Sequence, residues 1–182
     1  MLRRKSVLNS ALLCLFAWLV AAGPARAGSS GLRLQSIAFV ADDPIPINYT
    51  CSGDNKSPAL EWSGVPAGTK TLALIVRDPD APMGSYVHWV LYNMPANLTA
   101  LPAAVPTTAT IPQGAAQGVN GSGGSGYHGP CPPPGPAHHY HFRLYALDLK
   151  LKLAAGANAD EVEDAMKGHV LASTDLVGTF AR

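Results

Sequence analysis

The chain has 182 residues, a formal net charge of +1 and only 14% charged side chains. Such a sparse, balanced charge offers no basic patch for nucleic acid or for an anionic lipid surface. The first 27 residues hold four of the thirteen Lys and Arg and none of the twelve Asp and Glu, so the remaining chain is mildly acidic, at −3. Residues 1–27 read as a secretory signal. Arg3, Arg4 and Lys5 open it, an apolar run follows from Ala11 to Ala22, and Ala25-Arg26-Ala27 is an A-x-A cleavage site. An uncleaved anchor helix is the alternative, but the run is short for a membrane span. Removal leaves residues 28–182 as one domain, exported to the periplasm or secreted, with no integral span. That length suits a single core.

From Leu32 to Phe39 apolar residues alternate, with Leu32, Leu34, Ile37 and Phe39 marking a first strand. Asp42-Asp43-Pro44-Ile45-Pro46 is a turn with prolines at strand-edge positions. Leu60-Glu61-Trp62 is a short strand, and Val65 to Thr69 a turn. Thr71–Val76 and Tyr86–Asn93 are apolar runs of strand length. His141–Leu149 alternates, with Phe142, Leu144 and Ala146 on one face and Tyr145 and Leu147 on the other. One helix follows, capped by Asn158 or Asp160. Glu161, Val162, Ala165, Met166 and Val170 fall at helical spacing, with Lys167 and His169 in the last turn. The balance predicts a mainly β fold, a sandwich-like core with a C-terminal helix. Residues 96–137 are rich in Pro, Gly, Ala and Thr and lack periodicity. They read as a long excursion that returns to the domain, since a strong strand follows.

Two motifs about fifty residues apart carry the chemistry. In the first, Pro79 and Pro82 stiffen the turn Asp78-Pro79-Asp80-Ala81-Pro82, and Val87-His88-Trp89-Val90 follows. Its carboxylates can orient an imidazole through Nδ1–H or accept from a ligand. They can equally satisfy their own turn backbone. The second is Gly129-Pro130-Cys131-Pro132-Pro133, followed by His138-His139-Tyr140. On a strand, His138 and Tyr140 share one face while His139 and His141 share the other. The Gly129 amide, a protonated imidazole and the Tyr140 hydroxyl together suit an oxyanion. From Ala81 to Phe142 there is no Asp, Glu, Lys or Arg, yet five of the six histidines lie there. A site in that stretch is polar, nearly neutral and pH-sensitive.

Cys51 and Cys131 are the two cysteines beyond the signal. An oxidising compartment favours a disulfide, but two free thiols fit as well, because separation in space is not legible. If bonded, closing that loop stabilises by about 4–5 kcal/mol.

These motifs resemble the phosphatidylethanolamine-binding protein family, in its bacterial Raf-kinase-inhibitor-like branch. The resemblance spans nearly the whole exported chain. It runs through Tyr49-Thr50-Cys51-Ser52-Gly53, Asp78 to Pro82, His88 to Asn93, Gly129 to Pro133, His138 to Tyr140, Leu144 to Asp148 and Met166 to Ala172. It implies antiparallel sheets and a small surface pocket that holds phosphate-like anions or phosphorylated head groups. Carried over by motif, the ligand-binding residues are Asp78, His88, Gly129, Pro132, His138 and Tyr140, with Asp80 and Pro82 shaping the wall. Arg77 stands where another Asp is frequent, and His139 where the family commonly has Arg, a replacement that makes the surroundings less positive.

The expected function is that of a non-catalytic binding protein for a small anionic or phosphorylated ligand, without cofactor or metal. One alternative is a periplasmic metal-binding protein using His128, His139 and His141, because imidazoles at such spacing suit Zn or Cu. Another is a hydrolase with an Asp–His base, for which no activated nucleophile can be named. A third is inhibition of a protease or kinase by surface contact, on family analogy alone. A homodimer is a further expectation.

Overall fold

The computed structural model describes residues 31–182. The signal expected at 1–27 lies outside the described residues. Among the described residues, eight strands form two antiparallel sheets. The smaller joins β1 (Arg33–Gln35), β2 (Leu60–Ser63) and β5 (Ala100–Leu101) in the order β1-β2-β5. The larger joins β3 (Thr71–Asp78), β4 (Tyr86–Pro95), β6 (Ala116–Gln117), β7 (His138–Leu147) and β8 (Val170–Phe180) in the order β6-β4-β3-β7-β8. One helix, α1 (Ala159–Met166), precedes β8. The mainly β architecture matches the expectation, and α1 is its C-terminal helix.

The central strands are buried on both faces, which explains their near-continuous apolar runs. One face of the large sheet supplies Leu72, Leu74, Val76, Trp89, Leu91, Phe142 and Leu144 to a core shared with Leu34, Leu60 and Trp62 of the small sheet. The opposite face packs Ala73, Ile75, Val90, Tyr92 and Leu147 against Ala159, Val162 and Met166 of α1. The layers are therefore small sheet, large sheet, helix. Arg77, on the helix side of β3, reaches Asp160 at 3.1 Å and Glu163 at 3.0 Å.

Several boundaries differ from the sequence reading. The first strand stops at Gln35, because the Ser36 hydroxyl donates to the Ala59 carbonyl and accepts from the Ala38 amide. That bend leaves Ile37 78% exposed while Phe39 still packs inward. The strand expected from His141 begins at His138, so the second chemical motif runs directly into it. Asn158 caps α1 through a reciprocal box with Glu161. The helix ends at Met166, so Lys167 is its C-cap and His169 lies beyond it. Val170 opens β8 and does not belong to the helix. The sequence reading had no β8: its half-exposed residues carry little apolar signal. Full pairing with β7, from His138↔Phe180 to Leu147↔Val170, supplies what propensity does not.

The 96–137 excursion is built into the domain. It contributes β5 and β6, and buries Leu101, Val105, Ile111 and Tyr127 in the core. The Gln117 side chain accepts from the Trp89 indole at 2.7 Å and donates to the Pro106 and Thr108 carbonyls. Asn120 similarly ties together the loop through Gly126.

Candidate functional site

Asp78 ends β3, and the following turn places its proline ring Pro82 at the mouth of a cavity of about 610 Å³. The Asp78 carboxylate is 4% exposed and fully engaged. Its Oδ1 accepts from the Asp80 amide at 2.8 Å, and its Oδ2 from His138 Nδ1 at 2.8 Å. The carboxylate thus orients the imidazole, the first of the two roles its residue type allows. His138 opens β7 and leans across from the neighbouring strand.

His88 reaches the same cavity by a different device. Val76 pairs with Trp89 but Arg77 pairs with Val87, so His88 is the extra residue of a β-bulge. A regular strand sends adjacent side chains to opposite faces. The bulge instead turns His88 to the side of Trp89, while Val87 packs toward the helix-side core. His88 Nδ1 donates to the His128 carbonyl at 2.6 Å, and His128 in turn donates its amide to the His88 carbonyl. Tyr86, His128 and Tyr140 surround the ring at centroid distances of 4.8, 6.1 and 5.1 Å. Burial there lowers the imidazole to about 4, so His88 is neutral at neutral pH.

Of the residues singled out beforehand, Asp78, Pro82, His88, Pro132 and His138 line one cavity. Tyr140 stands behind the wall, edge-on to His88, with its ring fully buried and its hydroxyl without a hydrogen-bond partner. Burial and the nearby Asp78 and Asp80 charges push that phenol up. Asp80 turns away from the cavity. Its Oδ2 accepts from both the His139 ring, at 2.7 Å, and the His139 amide, at 2.9 Å, which holds its carboxyl below the usual range. Its amide bond to Asp78 is what it gives the site.

Gly129 is not an oxyanion donor. Its amide donates to Asn55 Oδ1 at 2.7 Å, and a Cβ at this position would lie 2.6 Å from the Tyr49 carbonyl oxygen. Its role is close packing of backbone on backbone. The same junction is sealed by the Cys51–Cys131 disulfide, with Cα atoms 5.4 Å apart, and by the Cys51 amide donating to Pro130. Cys131 itself lines the cavity.

The sequence reading missed Tyr86, His128, Met83 and Pro133 as lining residues. Tyr86 was within reach, two residues before His88 on the same strand. His128 precedes Gly129, but nothing in an irregular segment says which way its ring points. The histidines weighed for metal are dispersed. His128 lines the cavity, while His139 and His141 each engage a carboxylate, Asp80 and Asp175. Among the described residues no group of three or more His, Cys, Asp or Glu is placed to hold a metal ion.

Residues 35–181 match the family model described as phosphatidylethanolamine-binding protein. A UPF0098 protein of Methanothermobacter thermautotrophicus is 49% identical over 151 residues, covering 83% of this chain and 99% of that one. Another, from Aquifex aeolicus, is 40% identical over 158 residues, covering 86% and 92%. Among solved structures, Escherichia coli YbcL, described as a member of the mammalian family, superposes with a TM-score of 0.78 at 33% identity, covering 83% and 98%. A family homolog from Chlamydia trachomatis gives 0.77 at 39% identity, covering 85% and 99%. The motifs, the paired sheets and these matches agree, and the chain belongs to the phosphatidylethanolamine-binding protein family, in its UPF0098/YbcL-like bacterial branch.

Proposed function

We propose that this is an exported, non-catalytic binding protein that holds a small phosphate-like or phosphorylated ligand in the cavity of Asp78, His88 and His138. The observation that carries the reading is unspent hydrogen-bonding capacity at one spot. His88 and His138 both line the cavity. The two nearby imidazoles use Nδ1 within the protein and have no protein partner at Nε2 among the described residues. The family's description, which names a phosphorylated lipid, supports the same class.

A catalytic reading has less support. Cys131 is consumed by its disulfide, and Ser85 lines the cavity without a hydrogen bond to any imidazole or carboxylate among the described residues. An Asp–His pair without a neighbouring nucleophile binds and orients more readily than it transforms. Export is supported by the signal features of residues 1–27 and by the disulfide, which belongs in an oxidising compartment.

NMR titration with inorganic phosphate and with phosphoethanolamine tests the binding reading. Both should shift the His88 and His138 ring resonances with saturation. His138→Gln should weaken phosphate at least about ten-fold, or about 1.4 kcal/mol. Unmoved rings at about 10 mM ligand, a concentration that detects even very weak complexes, would remove the proposal.

A further inference from the structure

The two imidazoles of the cavity offer a ligand different things. A carbonyl oxygen only accepts, so the 2.6 Å contact to His128 places the His88 hydrogen on Nδ1. In a neutral ring Nε2 is then a lone pair. The groups around this ring are Tyr86 on its own strand, His128 from the excursion, Tyr140 from β7 and Asp78 from β3. The His128 backbone, Asp78 and the Gly129 backbone favour a charge on it, and burial outweighs their help. His138 is held differently: its Nδ1 lies 2.8 Å from Asp78 Oδ2, and its Nε2 has no protein partner among the described residues.

Charge points the same way. No Lys or Arg lines the cavity, Asp78 lies in its wall and Asp80 sits one turn away. A dianion would meet the Asp78 carboxylate in the wall and Asp80 near by, with no Lys or Arg opposite them. A monoanion suffers about half that repulsion.

Taking the cavity as the anion site proposed above, we infer that it selects an oxyanion carrying its own proton: monoanionic phosphate or a phosphomonoester monoanion. The P–OH donates to His88 Nε2, while an unprotonated oxygen faces His138 across the cavity. Sulfate has the same shape but no proton at neutral pH, so it sets lone pair against lone pair. A phosphodiester has the right charge but no P–OH.

Calorimetric titration of the purified protein with phosphate, sulfate, methyl phosphate and dimethyl phosphate tests this. At about pH 6, near the second ionisation of a phosphomonoester, phosphate and methyl phosphate should bind at least about ten-fold tighter than the other two. Methylphosphonate ionises at higher pH than methyl phosphate. Its loss of affinity with rising pH should therefore be displaced upward by the difference between the two ionisations. Loss at one common pH for both would assign the effect to the protein and not to the ligand's proton, and overturn the inference.

His88→Gln replaces the lone pair by an amide that can donate. In the folded variant, checked by circular dichroism, the preference for phosphate over sulfate should shrink at least about ten-fold. An unchanged preference overturns the inference, and if the variant does not fold, the wild-type series decides. Sulfate bound as tightly as phosphate sinks the inference but leaves anion binding standing. Failure of every probe removes the binding reading and this inference with it.

Discussion

His88 illustrates how surroundings set the state of a single residue. Its ring is packed among Tyr86, His128 and Tyr140, and its imidazole is lowered to about 4 from an ordinary value of 6.5. Between those values the unfolded chain binds a proton that the native state refuses, so stability rises with pH across the window. The contribution is complete above about pH 6.5 and is lost as pH falls toward about 4, at most about 3 kcal/mol. Urea unfolding at about pH 7.5 and pH 4.5 should show the wild type losing about 2–3 kcal/mol more than His88→Gln. Equal losses would mean that this imidazole charges freely in the fold. Asp78 was legible as a carboxylate that either orients an imidazole or satisfies its own turn backbone, and it does both. Which imidazole it orients was not legible. His138 lies sixty residues away and meets it only because β3 and β7 are neighbours. Gly129 was misjudged for the same reason: its amide partner, Asn55, sits in a distant loop.

At the scale of elements, local sequence was most reliable where the stabilising contacts are themselves local. The start of α1 is such a case, since Asn158 and Glu161 satisfy each other's backbone amides within one turn. Asn158→Ala should cost about 1 kcal/mol, read as a shift in the thermal midpoint. No shift would show that docking of Val162 and Met166 alone holds the helix. Its end is set differently. Val170 continues the helical spacing, but a place in β8 beside Leu147 overrides that pattern. The β4 bulge is a parallel case. Alternation alone separates His88 from Trp89, and the extra residue between Val76 and Arg77 pairings brings both to one side. Irregular pairing of this kind belongs to two strands at once, so neither strand's sequence announces it.

For the molecule as a whole, the disulfide joins the loop after the Ile47–Tyr49 turn to the wall of the cavity, across 80 residues of chain. Loop-closure entropy gives it about 4–5 kcal/mol of stabilisation. Cys51→Ser with Cys131→Ser should lower unfolding free energy by about 2–5 kcal/mol in oxidising buffer, measured by urea denaturation. A loss under about 1 kcal/mol would mean that the reduced chain is already held by the surrounding packing. The sequence by itself determined the mainly β class, the central strands, the presence of the helix and the residue types of the site. These follow from apolar periodicity, proline geometry and capping, all of which act between near neighbours. Only the tertiary structure decided the Cys51–Cys131 pairing, the strand β8, the turn of His88 into the cavity and the withdrawal of Gly129 and Asp80 from it. Each of those depends on which distant backbone or side chain comes within hydrogen-bonding or packing distance, and that is a property of strand order and register.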